Sequence, residues 1–131
     1  MDQDGNVYII KIDRYPVDGE TWEFPMGHTD GEDSLAAAKR ELQEETGLLA
    51  NELTYLGATY PLGGLSTEVN HIYLARKLTR GVAEGAQEEG IQEMKKVSLD
   101  ELKLMIRNGE FMDGQSNTAL LRVLLFLGQE K

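Results

Sequence analysis

"GEDSLAAAKRELQEETGL", residues 31 to 48, carries five acidic side chains, and its reading decides how the rest of the chain is understood. Asp33 or Ser34 can cap a helix here, Leu35, Ala38 and Leu42 recur on one face, and Gly47 supplies a left-handed stop, so the stretch predicts a helix over 34–46. On that helix Glu41 lies i,i+4 from Glu45 and i,i+3 from Glu44, which puts three carboxylates on one face. Like-charge pairs at such spacing cost roughly 0.2–0.5 kcal/mol each, and glutamates near a helix C-terminus also oppose its dipole. Stability alone does not recommend the arrangement. A hard divalent cation reverses the sign, because it takes several oxygen ligands and leaves other positions to water or phosphate. The plainer reading is a solvated charged face, softened by Lys39 and Arg40.

Composition narrows the choice. At 131 residues the chain is the size of one domain, and residues 1–131 are read as a single unit. With 23 acidic and 13 basic residues the formal charge is −10, which repels nucleic-acid backbones and anionic membranes. An anionic small substrate is compatible only with a local positive centre such as a metal ion. Cysteine is absent and there are two His, so thiolate and all-imidazole sites are excluded and any metal would be held by oxygen, as suits Mg²⁺ or Mn²⁺. No apolar run is long enough to span a membrane and no basic-then-apolar leader is visible; the composition predicts a soluble, cytoplasmic chain.

Outward from the helix, "VYIIKID" (7–13), "TWEF" (21–24), "LTYLGATY" (53–60), "EVNHIYLAR" (68–76) and "IQEMKKV" (91–97) predict strands, with Gly-containing loops between them. Ser98 and Glu101 form a capping box for a helix over 99–107, and Asp113 or Ser116 opens a last helix running to about Leu127. Strands, helix, strands and helices in that order predict an α/β (α+β) fold with a mixed sheet between helices. Leu35 and Leu42 are expected in the core.

The stretch running from Gly27 through Glu32 to "R40 E41 L42 Q E44 E45 T G47 L48" resembles the signature of the Nudix hydrolase family. That signature is Gly, five residues, Glu, seven residues, then Arg-Glu-apolar-any-Glu-Glu-any-Gly-apolar. Every fixed position from Glu32 to Leu48 matches; the one departure is four residues between Gly27 and Glu32, a loop one residue short. The resemblance implies that Glu41, Glu44 and Glu45 bind divalent metal, with the backbone carbonyl of Met26 as a further ligand. It also implies a structural ion pair between Glu32 and Arg40. Both fit the physical reading, since such a pair can lock a loop against the helix and Gly27 lets the backbone approach an ion.

Outside this box, "RYPVDGETWEFPMG" (14–27), "YPLGGLSTEVNHIYLA" (60–75) and "GEFMDGQSNTAL" (109–120) resemble ADP-ribose pyrophosphatases and related nucleoside-diphosphate-sugar hydrolases. A proline common beside the first of the paired glycines is missing, with Leu62 and Gly63 there instead. The likeness implies substrate contacts from Arg14, Trp22, Glu23, Gly63, Gly64, Ser66 and Glu68. The alternatives are a surface cation at Arg14, a core aromatic at Trp22 and a plain hairpin loop at "GGLST". His71 reads as packed or solvent-facing, and nothing assigns a role to His28.

The subgroup commonly takes its catalytic base from a Glu on a loop before the late helices, and Glu88 or Glu89 occupies that place, with Glu41 as the competitor. The implied reaction is metal-assisted hydrolysis of a nucleoside diphosphate linked to a second moiety; ADP-ribose would give AMP and ribose 5-phosphate. A nucleoside-triphosphate or other nucleotide-sugar pyrophosphatase is the alternative within the family, and a nucleotide-binding domain without turnover is the alternative outside enzymology. Relative to the family, the N-terminal segment and first strand are expected to be absent. The sheet edge left open would be covered in a homodimer or by strand exchange.

Overall fold

The computed structural model describes residues 1–29, 31–81 and 90–130. The α/β class expected from the sequence is what it shows. β1 (Val7–Arg14) is the central strand of an antiparallel sheet ordered β2-β1-β5, with β2 at Gly19–Glu23 and β5 at Ile91–Val97. Its sequence is β-branched on both faces, and Ile9 and Ile10 are both fully buried, as a strand covered on two sides requires. A single 3-10 turn at Tyr15–Val17, closed by Asp18 in the left-handed region, returns the chain into β2.

α1 (Ser34–Thr46) follows, then β3 (Leu48–Thr59) and β4 (Asn70–Arg80), which pair antiparallel as a second sheet. Every strand pairing among the described residues is antiparallel, and the strands stand as two sheets where the sequence predicted one mixed sheet. The antiparallel sense of two of these pairings follows from connection length, since β1–β2 and β3–β4 are joined by loops too short for a parallel crossover. β3 begins five residues earlier than predicted, because pairing of Leu48–Glu52 with Arg76–Arg80 outweighs the weak strand preference of Ala50, Asn51 and Glu52.

α2 (Leu99–Arg107) and α3 (Gly114–Gln129) complete the chain, each with the cap read from sequence: Ser98 Oγ accepts from Glu101 N, and Asp113 accepts from Ser116 N. They close the main core, in which Val7, Ile9, Val97, Leu102, Met105, Phe111 and Leu120 pack together, and Phe24 meets Phe111 edge-on at 5.4 Å between ring centroids. Leu42 is partly buried, but Leu35, also expected in the core, is 40% exposed. α1 is rotated so that Ala37, Glu41 and Glu45, not the leucines, form its buried face. The apolar spacing therefore misled at Leu35, while Ala38 and Leu42 are half-buried beside the inward-turned carboxylates.

Candidate active site

α1 is held at both ends by its own sequence. Asp33 Oδ1 accepts from Ala36 N at 2.9 Å, and Gly47, with φ 74°, lets its N–H close back on the Gln43 carbonyl at 2.8 Å. Between these caps Glu41 and Glu45 turn inward and are only 8% and 4% exposed, while Glu44 is half-buried. Arg40 stands among the acids. Its Nε donates to Glu32 Oε1 at 2.6 Å, one Nη donates to Glu41 Oε1 at 2.9 Å and Glu44 Oε2 at 3.1 Å, and the other reaches the His28 carbonyl at 3.0 Å. The guanidinium pKa is raised, first by the hydrogen bond to Glu32 and further by Glu41. One cation thus ties His28 and Glu32 to the helix and offsets part of the repulsion between the glutamates.

Gly27 lies against the Glu41 carboxylate so closely that a Cβ there would overlap it. This bears on the divalent ion that the family signature implies. The donors at this point are oxygens, Met26 lines the same cavity just before Gly27, and the backbone has been brought to the carboxylate where only glycine fits. Among the described residues no three His, Asp or Glu side chains converge as a ready-made metal cage. The donor chemistry nevertheless fits Mg²⁺, which usually takes one or two carboxylates and completes its octahedron with water and substrate phosphate.

The wall is part of a cavity of about 1270 Å³ lying between the two sheets. Arg14 and Glu23 line it as a bidentate pair at 2.8 and 2.7 Å, with Thr21 Oγ1 donating to the same carboxylate at 2.5 Å. Glu23 is 1% exposed, and these hydrogen bonds satisfy its buried carboxylate oxygens. The Arg14 pKa is raised, chiefly by the hydrogen bond to Glu23, with Asp113 and Glu45 as smaller contributors. Next to this pair, the buried Ser116 hydroxyl accepts from Phe24 N at 3.0 Å and donates to Asp113 Oδ2 at 2.8 Å, pinning the end of β2 to the start of α3.

Other predicted residues are distributed unevenly. Glu68 is on the cavity wall. Gly63, Gly64 and Ser66 sit in an exposed turn in which Leu65 N and Ser66 N both bond to the Leu62 carbonyl, away from that wall. Trp22 packs against the core with the Lys11 ammonium 5.0 Å from its ring centroid, also off the wall. Glu88 and Glu89 lie outside the described residues. Three further residues line the cavity that the sequence reading gave no site role: Ser116, read only as an alternative cap, Tyr73, and His71, which is exposed as one of its two readings had it. Alternation along β4 was the available signal for the last two.

Comparison with known proteins adds an independent line. A family model described as NUDIX domain matches residues 1–115. The ADP-ribose pyrophosphatase of Bacillus subtilis (strain 168) is 31% identical over 121 residues, 89% of this chain and 64% of that protein. The CMP-5'-(N-acetyl-N-hydroxy-3-aminopropyl)phosphonate hydrolase of Streptomyces rubellomurinus (strain ATCC 31215) is 31% identical over 127 residues, 95% of this chain and 60% of that protein. The chain thus spans less than two thirds of the length of either relative. A solved structure of an ADP compounds hydrolase superposes with a TM-score of 0.86 at 23% identity, over 97% of this chain and 69% of that one, a likeness of fold.

Proposed function

The chain belongs to the NUDIX domain family, and from that premise we propose that it hydrolyses a nucleoside diphosphate linked to a second moiety, ADP-ribose first among them, to AMP and ribose 5-phosphate. The observation that carries this reading is the buried Glu41 and Glu45 on one wall of a cavity that Arg14 also lines. A carboxylate wall with a cation in the same cavity suits a diphosphate whose charge is divided between a metal and a guanidinium.

Members of the family generally use divalent metal ions. We take the ion here to be Mg²⁺, with Mn²⁺ as a substitute; when bound it would supply charge neutralisation of the phosphate oxygens and a lowered pKa for a coordinated water. Glu41, Glu44 and Glu45 would hold it with the Met26 carbonyl. Arg40 keeps those side chains in register with Glu32 through its bonds to Glu32, Glu41 and Glu44. Arg14, fixed by Glu23, binds and orients the diphosphate, and Glu68, which also lines the cavity, is available for the sugar hydroxyls. The water proton goes to Glu88 or Glu89, with Glu41 as the competing acceptor.

The Streptomyces relative, named for a CMP-linked phosphonate, supports a second reading in which the group beyond the phosphate differs from ribose 5-phosphate. Incubation with ADP-ribose, other nucleotide sugars, dinucleotides and triphosphates, with and without Mg²⁺, separates the cases. AMP with ribose 5-phosphate supports the first reading. Pyrophosphate from a triphosphate, with ADP-ribose intact, favours the triphosphatase. ADP-ribose binding without Mg²⁺-dependent turnover of any compound leaves a binding domain.

β4 pairs only with β3 among the described strands, and we propose that a homodimer covers its other edge. Light scattering that gives a clean monomer would sink that part. No helix among the described residues is long and apolar enough to cross a membrane.

A further inference from the structure

We propose that His71 and Tyr73, backed by Tyr55, form the surface on which the nucleobase of the substrate stacks, a purine in preference to a pyrimidine. The inference rests on the nucleotide reading above and names which part of the nucleotide this wall holds.

The row follows from strand geometry. Tyr55 of β3 stands directly opposite Tyr73 of β4, and His71, two residues before Tyr73, shares its face. The Tyr55 ring lies 5.1 Å from that of Tyr73 and 5.9 Å from that of His71, centroid to centroid, so the three rings are continuous. Two hydrogen bonds hold them: the Tyr55 hydroxyl with His71 Nδ1 at 2.9 Å, and the Tyr73 hydroxyl with Ser34 Oγ at 2.5 Å.

Packing alone does not account for this. All four of His71, Ile72, Tyr73 and Leu74 line the cavity, but the face of β4 that carries Ile72 and Leu74 is buried, whereas His71 is exposed and Tyr73 only half-buried. With their polar ends already bonded to the protein, the rings can present π faces to a ligand without leaving a hydroxyl unsatisfied. The two fused rings of a purine cover more of this three-ring row than the single ring of a pyrimidine.

Position supports the same assignment. Ser34, bonded to Tyr73, opens α1, and Glu41 lies seven residues further on, roughly 10 Å along the axis at the usual helical rise. A ribose and its phosphates can bridge that separation, so a base on the rings and a diphosphate at the carboxylates belong to one extended ligand.

The test is calorimetric titration of AMP, CMP and ribose 5-phosphate into the whole chain and into His71→Ala, Tyr73→Leu and Tyr73→Phe, with thermal melting to report folding. Base–aromatic stacking predicts AMP binding about ten-fold tighter than ribose 5-phosphate to the unaltered protein, and tighter than CMP. His71→Ala and Tyr73→Leu should each weaken AMP several-fold and leave ribose 5-phosphate unchanged, while Tyr73→Phe keeps the preference. Equal affinity for AMP and ribose 5-phosphate, no AMP binding, or a preference that survives in both folded ring-deletion variants overturns the proposal. CMP binding as tightly as AMP overturns the purine preference. If Tyr73→Leu does not fold, the exposed His71→Ala decides alone. Since AMP needs no turnover, hydrolysis without an AMP preference defeats only this inference, and an AMP preference without hydrolysis defeats only the hydrolase reading.

Discussion

Gly27→Ala separates stability from chemistry at the candidate metal wall. A Cβ on Gly27 would overlap the end of the Glu41 side chain, Cδ and both oxygens included. The backbone itself accepts alanine, because Gly27 is not among the glycines with positive φ. Replacing a glycine at such a position removes unfolded-chain freedom and by itself stabilises by about 0.4–1 kcal/mol. Against this, Glu41 must yield, and with 8% exposure and Arg40 on one oxygen it has little room. A side chain pushed about 30° off its rotamer costs roughly 0.5–1.5 kcal/mol. The two effects nearly cancel, and the urea unfolding free energy should change by less than about 1 kcal/mol. Chemistry has no such compensation: moving a reacting group by about 1 Å can cost about 100-fold in rate. The expected result is a folded protein of almost unaltered stability with Mg²⁺-dependent ADP-ribose turnover down about 100-fold. Gly5→Ala is the contrast, since Gly5 has φ +84° and open space around it. It should lose about 1–2 kcal/mol and keep its turnover. If Gly27→Ala kept turnover within about three-fold of the unaltered protein, or lost only stability, the close approach would have no catalytic meaning.

Three further outcomes follow from the same geometry. Glu45→Gln and Glu44→Gln should each lower Mg²⁺-dependent turnover by roughly 100-fold or more without lowering the melting temperature, because each removes a repelling charge as well as a ligand; loss under about ten-fold would end their metal assignment. Arg14→Met leaves Glu23 buried without its cation and should cost about 2–3 kcal/mol in urea unfolding, toward the low end for such pairs because Arg14 is 44% exposed, and Arg14→Met with Glu23→Leu should recover most of it. Ser116→Ala strips Phe24 N of its acceptor and should cost about 1–3 kcal/mol; an unfolding curve that overlays the original would mean the clamp between β2 and α3 carries no energy.

Much of this protein was legible in its sequence because the governing interactions are local. The bounds of α1, its Asp33 and Gly47 caps and the Ser98 cap follow from contacts within a few residues, and the structure has them where spacing predicted; β5 also lies at the predicted 91–97, although its partner strand is the distant β1. The position of Arg40 beside Glu32, Glu41 and Glu44 is of the same kind, set by one helix and the loop before it. Which face of α1 turned inward was not local. Leu35 had the right spacing for a core and stayed exposed, while Glu41 and Glu45 were buried against the Gly27 backbone and the cavity. Likewise Ser116 met Phe24 across 92 positions, and Tyr55 met Tyr73 and His71 only because β3 and β4 paired in one register. Helix periodicity and capping are properties of a short segment and can be read from it. The choice of buried face, the clamp and the ring row depend on what other segments present, and that is decided only when the whole chain packs.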